Sequence, residues 1–110
     1  MTRNLERLKL LEQYAQEDPN DPFPIYALAL EWVNFNPQKA EDLFNKLLKD
    51  HADYLPVYYH AGQFFLAAGD KTKAMHILET GIRKTKATGD LKALAELRSL
   101  YDDSENESNA

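Results

Sequence analysis

Apolar residues recur along most of the chain at spacings of three and four, the pattern of helices that bury one face. No segment alternates apolar and polar residues for long enough to predict a strand, so the fold class is predicted to be all-α. Short connections between the segments predict antiparallel packing of neighbouring helices. The six predicted helices span residues 3–17, 22–35, 37–51, 56–68, 71–87 and 90–102.

Glycine, proline and short polar side chains mark the ends of these helices. Gly69 and Gly89 stand where a left-handed residue would end a helix. Asp70 and Asp90 follow them as candidate N-caps. Pro37 suits the first turn of a helix capped by the residue before it, Asn36.

Two sets of small and apolar residues recur when the chain is aligned with itself. Four residues recur after 33 positions: Ile25, Leu28, Ala29 and Trp32 correspond to Tyr58, Ala61, Gly62 and Phe65. Three more recur after 34 positions: Ala40, Phe44 and Leu47 correspond to Ala74, Leu78 and Gly81. The one-residue difference lies in the turn between the two helices of each copy.

This pattern resembles the tetratricopeptide repeat family, whose signature is W-x2-L-G-x2-Y, then A-x3-F, then Pro, on a helix–turn–helix unit of about 34 residues. The second copy follows that spacing from Tyr58 to Gly81, and the first follows it from Ile25 to Leu47. Ala52 stands where a closing proline is usual, and the first copy is one residue short.

The resemblance covers residues 3–102 and implies a right-handed α–α superhelix. It implies repeats at 22–54 and 55–88, a half-repeat formed by the first helix, and a capping helix at 90–102. Residues 103–110 contain three acidic residues and no apolar side chain larger than alanine. From this composition we expect an acidic tail without fixed structure.

Small residues at matching places predict close approach of the paired helices. Ala29 and Gly62 lie on one helix of each pair, and Ala40 and Ala74 on the other. We expect Gly62→Leu to destabilise the fold by overpacking and Gly62→Ala to be neutral or stabilising. The alternative is that Gly62 is an ordinary helix glycine that costs about 1 kcal/mol.

A second apolar stripe runs along the second and fourth predicted helices, away from the residues of the repeat signature. Its members are Phe23, Tyr26, Leu30 and Val33 on the second helix, and Pro56, Tyr59, Gln63 and Leu66 on the fourth. The resemblance implies that these helices line a concave peptide-binding groove in which Tyr26 and Tyr59 lie side by side. Covering of the stripe by the helix at 3–17 is the alternative interpretation. Because these places hold no Lys or Arg, the basic clamp of some family members is not expected.

The chain length, the net charge and the lack of long apolar runs exclude several classes of function. The 110 residues suit one domain, and thirteen basic against eighteen acidic residues give a net charge of −5, which argues against nucleic-acid binding. The basic stretch at 71–92 is interpreted as a solvated helix face, and the alternative is a surface that attracts an acidic partner. Because neither a signal peptide nor a membrane span is recognisable in the sequence, a cytoplasmic protein without membrane contact is expected.

Residues suited to catalysis or metal binding are sparse. There is no cysteine, and the three histidines, His51, His60 and His76, have no metal-ligand spacing. No phosphate-binding glycine loop is present, and a calcium loop starting at Asp18 lacks its required glycine and glutamate. No cofactor, no metal site and no enzymatic activity are therefore expected, and a small helical enzyme is the least favoured interpretation.

Two functions agree with these observations. The first is a scaffold that binds an apolar peptide or helix of a partner protein in the groove. The alternative is a structural protein whose groove forms a homodimer interface, related by a two-fold axis. Copurification from the native host would separate them.

Overall fold

The computed structural model describes residues 5–108 and confirms the all-α prediction. Helices make up 81% of these residues, and the described part of the chain contains no strand. The predicted start of the first helix at residue 3 lies outside the described residues. The six helices are α1 (Leu5–Glu17), α2 (Pro22–Trp32), α3 (Pro37–Asp50), α4 (Pro56–Ala67), α5 (Lys71–Lys86) and α6 (Leu91–Ser108).

The contacts group into two compact units, the first ending at Tyr54 and the second beginning at Leu55. In the first unit, α1 packs against α2 and α2 packs against α3. In the second, α4 packs against α5, and α6 contacts both of them. The boundary between the units falls at the predicted junction of the two repeats.

Burial follows the repeat pattern. Among the residues of the two sets that recur after 33 and 34 positions, Trp32 is half-buried and all the others are buried. The largest fully buried side chains include Phe44 and Leu47 in the first unit and Leu78 in the second. The residues that define the repeats in the sequence therefore form the core of each unit.

The predicted caps are confirmed. Gly69 has a φ of +87° and Gly89 a φ of +77°, in the left-handed region that residues with a Cβ atom rarely adopt. The side-chain oxygens of Asp70 and Asp90 each accept a hydrogen bond from a backbone N–H in the first turn of the helix that follows. Each chain reversal in the second unit is thus built from adjacent Gly and Asp residues.

The second helix ends earlier than predicted, at Trp32 instead of residue 35. The backbone N–H groups of Phe35 and Asn36 both donate to the Trp32 carbonyl, at 3.0 and 2.8 Å, and so close a turn there. This turn places Asn36 at the start of α3, where its side chain accepts from the backbone N–H of Lys39 at 3.3 Å. Pro37 opens α3, as predicted.

The last helix continues beyond its predicted end at 102, and the prediction of a disordered tail is wrong for residues 103–108. α6 extends to Ser108, and Ser104 is only 5% exposed. The Lys71 ammonium donates to the Ser104 carbonyl at 2.7 Å, and the Ser104 hydroxyl donates to the Leu100 carbonyl at 2.8 Å. Hydrogen bonds from a basic side chain can hold a polar helix end that buries little apolar surface. Residues 109 and 110 lie outside the described part.

Candidate functional site

Two helices carry almost no charge. Glu31 is the only Asp, Glu, Lys or Arg in α2, and α4 contains none. A helix at the surface of a soluble domain normally has a charged or polar face opposite its buried one. Both helices therefore present apolar side chains beyond those that their own unit buries.

On α2, the predicted stripe residues Phe23, Tyr26, Leu30 and Val33 are all accessible, and we call them the α2 stripe. Phe23 is 53% exposed and Leu30 is 36% exposed. Tyr26 and Val33 are half-buried. By contrast, Ile25 and Ala29 between them are buried.

Tyr26 is held from one side by Tyr54, which lies between α3 and α4. The two rings meet edge to face, with centroids 5.4 Å apart and planes inclined by 67°. Burial, and then the neighbouring Tyr54, raise the pKa of Tyr26; burial, and then Asp21, raise the pKa of Tyr54. Both phenols therefore stay neutral, and Tyr26 is fixed in orientation on the stripe.

On α4, the corresponding residues Pro56, Tyr59, Gln63 and Leu66 form the α4 stripe. Pro56 and Gln63 are exposed, and Tyr59 and Leu66 are half-buried. The Gln63 amide donates to the Tyr59 hydroxyl at 3.3 Å, which gives this stripe one polar point. The α2 and α4 stripes belong to different units, so the side-by-side placement of Tyr26 and Tyr59 stays a prediction.

The N-terminal helix packs against α2 through residues outside the stripe. Leu8 and Leu11 of α1 form a buried cluster with Ala27 and Leu28. The Nε atom of Arg7 contacts Glu31 Oε1 of α2 at 3.0 Å, beside the same cluster. These contacts leave Phe23 and Leu30 with the exposures given above.

A cleft of about 420 Å³ lies between α1 and the start of α2. Its walls combine large apolar side chains with acidic ones, a combination that the sequence analysis missed. The residues come from α1, from the loop that follows it and from α2, so no short motif marks them. They are Arg7, Leu10, Leu11, Tyr14, Glu17, Asp18, Asp21, Phe23 and Pro24.

Two lysines that the sequence analysis did not single out repeat the same contact in each unit. The Lys39 ammonium lies 4.4 Å from the centre of the Trp32 ring, and the Lys73 ammonium lies 4.3 Å from the centre of the Phe65 ring. Both are cation–π contacts between the start of one helix and the end of the preceding one. The recurrence of lysine after 34 positions is the signal that could have identified them.

The pKa of a histidine on α4 is also shifted. Burial lowers the pKa of His60, and the nearby Glu96 carboxylate opposes this shift. Among residues 5–108, no group of three or more His, Cys, Asp or Glu side chains is arranged to hold a metal ion. Across the same residues, every helix is too short or too polar to cross a membrane.

Comparisons with known proteins agree with the helical repeat. No curated protein matches the chain. A crystal structure of a tetratricopeptide repeat domain protein from Salinibacter ruber is 32% identical, covers 78% of this chain and 97% of its own, and has a TM-score of 0.73. A solution NMR structure of a tetratricopeptide repeat domain protein from Salinibacter ruber is 33% identical, covers 81% of this chain and 91% of its own, and has a TM-score of 0.75.

A sequence profile described as tetratricopeptide repeat matches residues 34–101. The match starts in the turn before α3 and ends within α6, so it contains all of the second predicted repeat. The helix-turn-helix repeat, its buried signature residues and these similarities lead to one assignment: the chain belongs to the tetratricopeptide repeat family.

Proposed function

We propose that this chain is a non-enzymatic protein–protein interaction module that binds an apolar peptide or helix along the α2 and α4 stripes. Tetratricopeptide repeat domains generally mediate interactions between proteins and are generally non-catalytic. The apolar ligand is the more specific part of the proposal. It rests on this chain's own surface.

The observation that supports it most is the exposure of large apolar side chains on a helix with one charged residue. Phe23 and Leu30 keep 53% and 36% of their surface accessible, although α2 packs against both α1 and α3. Burying a large apolar side chain contributes roughly 1.5–3 kcal/mol, so a few such contacts supply useful affinity. The fixed Tyr26 ring adds an aromatic anchor of the kind enriched at binding hot spots.

The chemistry of the stripes selects an apolar ligand over an acidic one. The eight stripe residues include no Lys or Arg that would hold a carboxylate. Gln63 and the tyrosine hydroxyls offer hydrogen bonds to a peptide backbone. An amphipathic helix or an extended apolar segment matches such a surface.

A random peptide library displayed on phage and selected against the immobilised protein tests this proposal. We expect the selected peptides to be apolar. Leu30→Lys and Gln63→Lys should weaken their binding in titration calorimetry by at least about tenfold, because each places an ammonium in an apolar contact. Gln16→Lys on α1 and Thr72→Lys on α5 are matched controls at exposed positions outside the stripes.

Equal losses in the stripe and control variants would contradict the proposal. Sedimentation equilibrium at micromolar concentrations tests the alternative, in which a second copy of the chain covers the stripes. A wild-type dimer that Leu30→Lys converts to monomer would assign the stripes to self-association instead of to a foreign peptide.

A further inference from the structure

The cleft between α1 and α2 is a binding surface of a different kind from the stripes. It lies within the first unit and has a volume of about 420 Å³. Leu10 and Tyr14 are each 45% exposed at its wall, and Phe23 is 53% exposed. Leu11 and Pro24 are buried beneath them. Clustered large apolar side chains at a concave surface are typical of interaction sites.

The rim of the cleft is acidic. Three of its lining residues are carboxylic acids, Glu17, Asp18 and Asp21. Among the described residues that line the cleft, Arg7 is the one basic residue, and its Nε atom contacts Glu31 Oε1 at 3.0 Å. Since one guanidinium faces three carboxylates and contacts a fourth, the cleft carries a negative potential beside its apolar wall.

The acidic rim is held in place by local hydrogen bonds. Asp18 Oδ1 accepts from the backbone N–H of Asn20 at 3.2 Å, and Asp21 Oδ1 accepts from that of Phe23 at 3.0 Å. Glu17 Oε2 accepts from the Gln13 amide at 2.9 Å. A rim that is ordered before binding loses less conformational entropy when a ligand arrives.

We propose that this cleft binds a segment of a partner protein in which an aliphatic or aromatic side chain is flanked by Lys or Arg. The apolar side chain contacts Leu10, Tyr14 and Phe23, and the flanking cations contact the acidic rim. Charge complementarity of this kind raises the association rate and excludes acidic segments. Phe23 also belongs to the α2 stripe. The other stripe residues do not line the cleft, so this site has its own ligand chemistry and goes beyond the function proposed above.

Fluorescence anisotropy with a defined probe tests the ligand chemistry. The probe is a fluorescein-labelled peptide of sequence Gly-Lys-Arg-Leu-Lys-Arg-Gly. One comparison peptide replaces its leucine by glycine, and another replaces its four basic residues by glutamate. We expect both to bind at least about tenfold more weakly than the probe, because each lacks one of the two features that the cleft recognises. Binding of the probe should weaken as salt is added.

Variants of α1 test the location. Glu17→Lys and Tyr14→Ala should each weaken probe binding by about fivefold or more, since one reverses a rim charge and the other removes part of the wall. Glu12→Lys is the matched control. It makes the same charge change on the same helix, but Glu12 does not line the cleft and lies about 160° around the helix from Tyr14. If circular dichroism shows that Tyr14→Ala unfolds, Leu10→Ser replaces it.

Four results would overturn the proposal. The first is no anisotropy change with the protein at millimolar concentration. The second is an equal loss in Glu12→Lys and Glu17→Lys, which would indicate general charge attraction. The third is wild-type self-association that Tyr14→Ala abolishes, which would assign the cleft to a second copy of the chain. A loss of probe binding only in Leu30→Lys and Gln63→Lys would place the peptide on the stripes and also contradict it, while the function proposed for the stripes would stand.

Discussion

A Cβ atom placed on Gly62 would lie 2.5 Å from Cδ2 and 2.8 Å from Cγ of Leu78. Leu78 is fully buried, so its side chain has no solvent to turn into. The same closeness occurs in reverse on the partner helix, where a Cβ atom on Gly81 would lie 2.6 Å from that of Tyr58. α4 and α5 therefore approach each other through a glycine on each helix.

Gly62→Ala is accordingly expected to destabilise the protein, whereas sequence reasoning predicted a neutral or stabilising effect. The overpacking cost of about 1–3 kcal/mol exceeds the gain in helix propensity of up to about 1 kcal/mol. We expect a net loss of about 1 kcal/mol for Ala and a larger one for Leu, measured by urea unfolding.

Removing the obstructing side chain provides the control. In a Leu78→Ala background, the atoms that an alanine Cβ at position 62 would meet are absent, so Gly62→Ala should cost little or should stabilise. An alanine at position 62 that stabilises the otherwise wild-type protein would show that the helices do not approach this closely.

The features that the sequence predicted well are local ones. Gly69 and Asp70 end one helix and begin the next through contacts within a few residues, so their types and order suffice to predict them. The signature residues are buried because helical spacing determines which face they share. The need for a small residue at Gly62 was readable, but the distance to Leu78 was not, because it depends on the packing of two helices.

The stripes could be predicted from the sequence, whereas the acidic cleft and the ordered end of α6 could not. The stripe residues follow from spacing on single helices, and the exposed fractions of Phe23 and Leu30 come from the structure. The acidic cleft was missed because Tyr14 and Phe23 lie on different helices. The tail was misjudged for the same reason, since the contact between Lys71 and Ser104 joins residues 33 positions apart.

That contact predicts a role for the end of α6 in stability. Ending the chain after Asp103 removes the carbonyl that accepts from the Lys71 ammonium and the buried Ser104 side chain. A hydrogen bond from a charged donor contributes about 1.5–3 kcal/mol, reduced by partial exposure to about 1 kcal/mol here. For a domain of this size the Tm should fall by roughly 4–8 °C.

Ending the chain after Asn106 instead keeps Ser104 and its contacts, and the Tm should then change little. Differential scanning calorimetry of both truncated chains decides the question. Equal Tm values for the Asp103 truncation and the full chain would restore the original expectation that nothing in this segment is stabilising.

The buried hydroxyl of Thr85 leads us to predict a stabilising substitution at this position. Its side chain is 1% exposed, and its Oγ1 atom is buried with no hydrogen-bond partner among the described residues. Valine has nearly the same shape and lacks the hydroxyl, so Thr85→Val removes a desolvation penalty of about 1–3 kcal/mol. We expect the free energy of unfolding to rise by about 1 kcal/mol in urea titrations.

Thr80→Val is the matched control on the same helix, because the Thr80 hydroxyl donates to the His76 carbonyl at 3.0 Å. This substitution removes a hydroxyl that already has a hydrogen-bond partner, from a residue that is only half-buried. It should leave the free energy of unfolding within about 0.5 kcal/mol of the wild-type value. A loss of stability in Thr85→Val would mean that its hydroxyl has a partner, such as an internal water.

His60 predicts a dependence of stability on pH. Burial lowers its pKa in the folded state below the unfolded value of about 6.5, and Glu96 opposes this shift without cancelling it. The unfolded chain therefore binds a proton at this site more readily than the folded one. The stability associated with neutral His60 is complete above the unfolded pKa and is lost as the pH falls through the folded pKa.

Comparison of variants isolates this effect from the titration of the carboxylic acids. The difference in unfolding free energy between wild type and His60→Gln should be constant above about pH 7 and should decrease as the pH falls below about 6.5. Glu96→Gln should steepen the decrease, since it removes the charge that favours the imidazolium in the folded state. His76→Gln, at an exposed position on α5, is the control for replacing an imidazole by an amide. A constant difference for His60→Gln down to pH 5 would mean that this imidazole is solvated in the folded protein.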